Sequence, residues 1–195
     1  GYPSFKYEVK AVESQEDLVV ASNLNKARGT DVSLAFNHAL IQLNFSAGLT
    51  TGFTYAITNI SISGVNNSGT FTYSNSIGDW TAQDGTASYA YAGDFNGTIT
   101  DNVLKLSTGS NALMLMPQTV PAGAEISITY TATANSTNQV TFNGTKKVAI
   151  GGVEWKKGSN ICYKLILPTG AEAITYSTVV NPWGEEDSQD KTTQP

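Results

Sequence analysis

The strongest constraint in this sequence is a two-residue apolar alternation, repeated in short runs that Gly, Asn, Pro and Asp interrupt. Ile126, Ile128 and Tyr130 alternate with Ser127, Thr129 and Thr131, which puts the apolar side chains on one face of an extended strand. Ile161, Tyr163, Leu165 and Leu167 line a second such face, and Ile174, Tyr176, Thr178 and Val180 form a last strand. No window of about twelve residues holds a convincing 3.6-residue apolar period. About twelve short strands, with turn signals roughly every 8–12 residues, predict an all-β sandwich or barrel.

Two runs change phase. Val32, Leu34 and Phe36 share one parity, whereas Ala39, Ile41, Leu43 and Phe45 share the other. The slip near His38 predicts a bulge or bend between two sheets. Tyr55 and Ile57 against Ile60 and Ile62 show the same change. Leu113-Met114-Leu115-Met116 is apolar on both faces, as in a central strand covered on both sides. Asn143-Gly144 lies between Val140–Phe142 and Thr145–Ile150 and predicts a type I′ hairpin. Residues 22–31 read as a loop or linker, and the polar, acidic chain from Gly184 onward reads as disordered.

Composition narrows the function. Charged residues are only 14% of the chain, against roughly 25% in an average soluble domain. With a net charge of −5 and Arg28 as the lone arginine, the chain lacks the basic surface that nucleic acid requires. Lys146-Lys147 and Lys156-Lys157 read as solvated strand ends that discourage edge pairing. Cys162 is the single cysteine, so neither an intrachain disulfide nor a cysteine-rich zinc site is expected.

Catalytic chemistry finds little support. His38 is the only histidine, and its place at the phase slip favours a structural role over that of a general base. Asp79, Asp84, Asp94, Asp101, Glu125 and Glu154 are the carboxylates available to a glycosidase pair, but most sit in turn sequence or at strand borders. No catalytic residue, metal site or cofactor is expected. Six Asn-x-Ser/Thr matches arise from an Asn- and Thr-rich composition, and none is assigned a glycan. Trp80, Tyr89 and Tyr91 form a candidate glycan platform, because Tyr89 and Tyr91 share one strand face; core packing is the competing use of the same rings.

The order of several segments resembles a known family. Phe5-Lys6-Tyr7-Glu8-Val9 and Gln15-Glu16-Asp17-Leu18-Val19-Val20-Ala21 are similar to the segment joining the two domains of fimbrillin (Mfa-like) proteins. Val32-Ser33-Leu34-Ala35-Phe36-Asn37-His38-Ala39-Leu40 resembles the strand that opens the family's second domain. Asn59–Gly64, the Leu113–Gln118 run with Pro121-Ala122-Gly123, and Trp155-Lys156-Lys157-Gly158 leading to Tyr163 fit in the same order. The resemblance covers about residues 4–183.

It implies a two-sheet Greek-key sandwich of transthyretin-like form. Residues 1–31 are then an interdomain segment, 32–183 the fimbrillin-like domain and 184–195 a polar tail. Residues 1–21 read either as the last strand of a missing first domain or as a strand pairing with the second. The family implies a structural or adhesive subunit on the surface of a Gram-negative bacterium, held at the outer membrane through a lipid anchor that this chain does not carry. Its partners would be other fimbrial subunits, with a host or bacterial surface protein or glycan as the adhesion target. A surface carbohydrate-binding module is the alternative. The strand Ile174, Tyr176, Thr178, Val180 and Trp183 is the candidate for exchange between subunits, through backbone bonds and alternating side-chain pockets. Arg28 lies in a loop open to a trypsin-like cut, although the family's maturation cut falls earlier in the precursor.

Overall fold

Most of the alternating runs fold as strands. The computed structural model describes residues 2–23, 29–75, 77–93, 95–96, 99–106 and 111–183; Arg28, Asp94 and the tail from residue 184 lie outside them. The first strands are β1 (Ser4–Glu8), β2 (Val19–Val20), β3 (Asn37–His38), β4 (Ile41–Gly48), β5 (Phe53–Val65) and β6 (Ser68–Thr72). Next come β7 (Asp79–Asp84), β8 (Ala87–Ala90), β9 (Ile99–Thr100), β10 (Val103–Lys105), β11 (Leu113–Leu115) and β12 (Gln118–Thr119). The chain continues through β13 (Glu125–Ala134), β14 (Gln139–Ala149), β15 (Glu154–Trp155), β16 (Ser159–Ile166) and β17 (Thr175–Pro182). A short 3-10 turn spans Val12–Ser14.

Two larger sheets share the main core. One runs β14-β13-β5-β8; the other runs β17-β16-β4-β10-β9, with β11 also paired to β4. Ile60, Ile62, Ile126 and Ile128 from the first meet Leu43, Phe45, Tyr163 and Leu165 from the second, all closed to solvent. A smaller sheet, β1-β6-β7, encloses a second cluster around Val20, Ala39 and Phe71 with the rings of Phe5, Tyr73 and Trp80. β1, expected in the joining segment, pairs with β6 from Ser4 opposite Thr72 to Glu8 opposite Ser68.

The phase change in β5 is a bulge. Thr129 pairs with Asn59 and Tyr130 with Ile57, so Thr58 is the extra residue and both isoleucine pairs turn inward. The change near His38 falls at a break between β3 and β4. The expected strand from Val32 does not form, however: residues 31–36 have no ladder partner among the described residues, and Val32, Leu34 and Phe36 are exposed. The Leu113–Met116 run is covered as expected, with Leu113, Leu115 and Met116 closed to solvent, but β11 is not a central strand, because it pairs only with β4 among the described strands.

The Asn143-Gly144 hairpin is also corrected. Both residues lie inside β14, opposite Thr131 and Tyr130 of β13, and the reversal falls instead at residues 135–138. Asn138 takes φ 54° there and its N–H bonds Ala134 O. An Asn-Gly pair permits a tight turn but does not compel one. Pairing along the whole of β13 outweighs it, and the Tyr130 ring beside Phe142, with centroids 4.6 Å apart, shields the side-chain-free position.

Four buried tyrosines put hydroxyls at defined points in this core. Tyr91 donates to Leu106 O at 3.2 Å, Tyr130 to Pro168 O at 2.7 Å and Tyr89 to Val9 O at 3.4 Å, while Tyr163 accepts from Trp155 Nε1 at 3.0 Å. Burial disfavours their phenolates, pushing Tyr89 up to about 12 and the other three higher still. The folded-state value therefore exceeds the unfolded value of about 10. This contribution to stability is complete below that pH and is lost as pH climbs towards the folded values. In an alkaline titration, a delayed class of tyrosines is expected to ionise together with the loss of near-UV circular dichroism. Normal titration of every tyrosine in a chain that stays folded would contradict this.

Candidate functional site

The candidate exchange strand lies at an edge. β17 pairs antiparallel with β16 along its whole length, from Ser159 opposite Pro182 to Ile166 opposite Thr175. Among the described residues its other side has no strand neighbour. Ile174 is buried at the entry, and Tyr176 meets the buried ring of Tyr163 with centroids 5.3 Å apart. Thr178 is half-buried, and Val180, opposite Ile161, is 52% exposed. The strand thus lends its first half to the core more than its second.

Its far end is clasped by residues distant in sequence. The Trp183 indole stacks on the His38 imidazole with centroids 4.1 Å apart and planes 4° from parallel. His38 Nδ1 lies 2.8 Å from Asp17 Oδ2, and Trp183 N–H donates to Gly158 O at 2.9 Å. His38 therefore serves a structural role through side-chain contacts. The segment before β2, strand β3, the turn at Gly158 and the end of β17 all meet here. Sequence reading selected Trp183 but missed Asp17 and the clasp, since no local spacing links these three residues.

The proposed glycan residues are not brought onto one open face. Tyr89 and Tyr91 belong to the main core, and Phe45 meets Tyr91 edge-on at 4.9 Å. Trp80 is half-buried against Phe5, Phe71 and Tyr7, and its Nε1–H donates to Ala39 O at 2.7 Å. One side of Trp80 borders a shallow cleft of about 330 Å³ that also holds Asp79, Gln83, Glu154, Lys156 and Lys157.

Of the carboxylates considered for hydrolysis, Asp79 and Glu154 share that cleft. Each has a lysine partner, Lys157 at 3.3 Å and Lys156 at 3.8 Å respectively. Glu125 pairs with Lys147, Asp84 accepts from Ser68, and Asp101 occupies a turn at φ 50°. Among the described residues, no three His, Cys, Asp or Glu side chains gather closely enough to hold a metal ion.

The fold is a set of layered β-sheets whose border strands, among the described residues, are paired on one side only. The chain belongs to the fimbrillin-like family, whose model matches residues 2–183. A fimbrial protein from Bacteroides vulgatus has a similar structure, with 17% identity and a TM-score of 0.66 over 94% of this chain and 68% of its own. Proteins assigned to cell adhesion from Bacteroides uniformis and Bacteroides ovatus are similar at 17% and 15% identity, with TM-scores of 0.58 and 0.57. These matches cover 92% and 94% of this chain, against 66% and 62% of theirs. The chain therefore spans about two thirds of the length of these solved proteins. At such identities the likeness establishes the fold. No curated protein matches the sequence.

The clasp gives a direct test of how β17 is held. Trp183→Ala is expected to cost about 0.5–1.5 kcal/mol through the lost ring contact. Hydrogen exchange should accelerate at the Trp183 end of β17 and stay unchanged in β13. Uniform protection across both strands in the variant would show that the stack holds nothing.

Proposed function

We propose that this domain is a structural and adhesive subunit of fimbriae at the bacterial cell surface, joined to its neighbours by β-strand addition. The observation that carries this reading is the placement of β17, the last described strand of the chain, paired on one side only. Such a strand leaves its sheet without unthreading any other element. Its departure opens a full-length edge on β16 that a neighbour's strand fills with the same backbone bonds. Ile174, Tyr176, Thr178 and Val180 supply the alternating side chains that set register, and Trp183 closes the far end. Membership of the fimbrillin-like family supports the same role, as does the similarity to a fimbrial protein from Bacteroides vulgatus.

The partners in this reading are other fimbrial subunits, with a surface protein or glycan as the adhesion target. Anchorage at a Gram-negative outer membrane through a lipid-bearing leader belongs to the same proposal. A carbohydrate-binding module is less well supported, because stacking on sugar rings needs open aromatic faces and Tyr89 and Tyr91 are buried.

Deleting all residues after Pro168 is expected to abolish incorporation into fimbriae while export continues. Immunogold labelling of fibres alongside blotting of the exported fraction measures both. Normal fibres from the truncated chain would overturn the role given to β17.

A further inference from the structure

The face of β4, β16 and β17 turned away from the main core carries a row of side-chain amides and, further along, two lysines. The ladders fix which residues share it. Gln42 of β4 lies opposite Asn160 of β16, and Asn160 lies opposite Asn181 of β17. These amides stand side by side on neighbouring strands about 4.8 Å apart. Two residues along β4, Asn44 occupies the same face, and its Nδ2–H donates to Asn160 Oδ1 at 3.1 Å. Two residues further, Ser46 lies opposite both Lys105 of β10 and Lys164 of β16.

Internal packing leaves these groups unsatisfied. Asn181 is 8% exposed, and its amide has no hydrogen-bond partner among the described residues. A buried amide in that state is costly until a group from outside the fold meets it. Lys105 and Lys164 likewise have no ion pair among the described residues, although the chain as a whole carries a net charge of −5. None of β4, β10, β16 and β17 contains Asp or Glu. The Lys164 side chain leans over β4, where a Cβ added at Gly48 would lie 3.4 Å from its Cε. Both cations thus border Ser46, a small buried residue that keeps the floor between them low.

We propose that this face binds a carboxylate-bearing oligosaccharide. Its acid group sits above Ser46 between Lys105 and Lys164, and its hydroxyls meet the amides of Asn44, Asn160, Gln42 and Asn181. An amide both donates and accepts, as a hydroxyl does, so a row of amides suits a ligand with hydroxyls along its length. The lysines supply the charge complement to the acid. From the amide row to the lysine row is about 13 Å along the strand, a span that a short oligosaccharide covers and a lone acid does not. Recognition by amides and charge needs no open aromatic face. The inference rests on the adhesive part of the reading above and names its ligand class.

The purified full chain is titrated with sialyllactose, with trigalacturonic acid and with neutral lactose, and the side-chain amide signals are followed by NMR. One acid or both is expected to move the Asn160 and Asn181 signals, which also identifies the source of the carboxylate. Lactose is expected to bind about ten-fold more weakly or worse. Lys105→Met combined with Lys164→Met is expected to keep the circular dichroism of the fold and to lose about ten-fold or more in affinity for the acid. The binding that remains should no longer weaken with added salt. Failure of both acids to move these signals at millimolar concentration, equal binding of lactose, or unchanged affinity in the lysine variant would each overturn the proposal. Incorporation into fimbriae is scored separately. A chain that builds fibres yet binds neither acid overturns this inference and leaves the subunit role standing, whereas one that binds the acid without entering fibres does the reverse.

Discussion

The parallel ladder between β4 and β16, from Gln42 opposite Asn160 to Gly48 opposite Ile166, is the joint on which the rest is built. Parallel neighbours need a long crossover and burial on both faces. Here the crossover includes the whole β14-β13-β5-β8 sheet, which folds back over the joint and supplies its cover. Toward that sheet lie Leu43, Phe45, Ile161 and Tyr163; on the reverse side Asn44 bonds Asn160 at 3.1 Å and Cys162 meets Ser46 at 3.7 Å. β16 then carries β17, and the opposite side of β4 is divided between β10 and β11. β4 is thus paired on both sides, to β16 on one and to β10 and β11 on the other.

The same joint separates two surfaces of different kinds. β17 rests on a rigid template and is secured at its end by Trp183 over His38. Residues 31–36 precede the template without joining it, and their apolar side chains remain in water.

Much of this was legible in the chain. The alternation of Ile126, Ile128 and Tyr130 and the isoleucine phase change around Thr58 express local geometry, and both survive in the fold. What failed depended on competition between distant segments. Asn143-Gly144 is locally suited to reversal, but the full length of β13 holds it straight. Val32, Leu34 and Phe36 have strand chemistry without a strand beside them, and periodicity carries no information about whether a neighbour arrives. Tyr89 and Tyr91 illustrate the same limit, since rings on one strand face look alike whether that face meets water or another sheet. The meeting of Asp17, His38 and Trp183 is purely tertiary and left no trace in spacing.

The outer face of the β14-β13-β5 layer has a material consequence. Ser61, Ser63, Ser127, Thr129, Thr131 and Thr145 tile it with short hydroxyl side chains, and Thr129 and Thr145 approach to 2.8 Å across the ladder. Branching at Cβ leaves the threonines few rotamers to lose, and the Glu125–Lys147 pair sits among them at one end of the face. The layer behaves as stiff, hydroxyl-clad sheeting that has little side-chain entropy left to lose if it is covered.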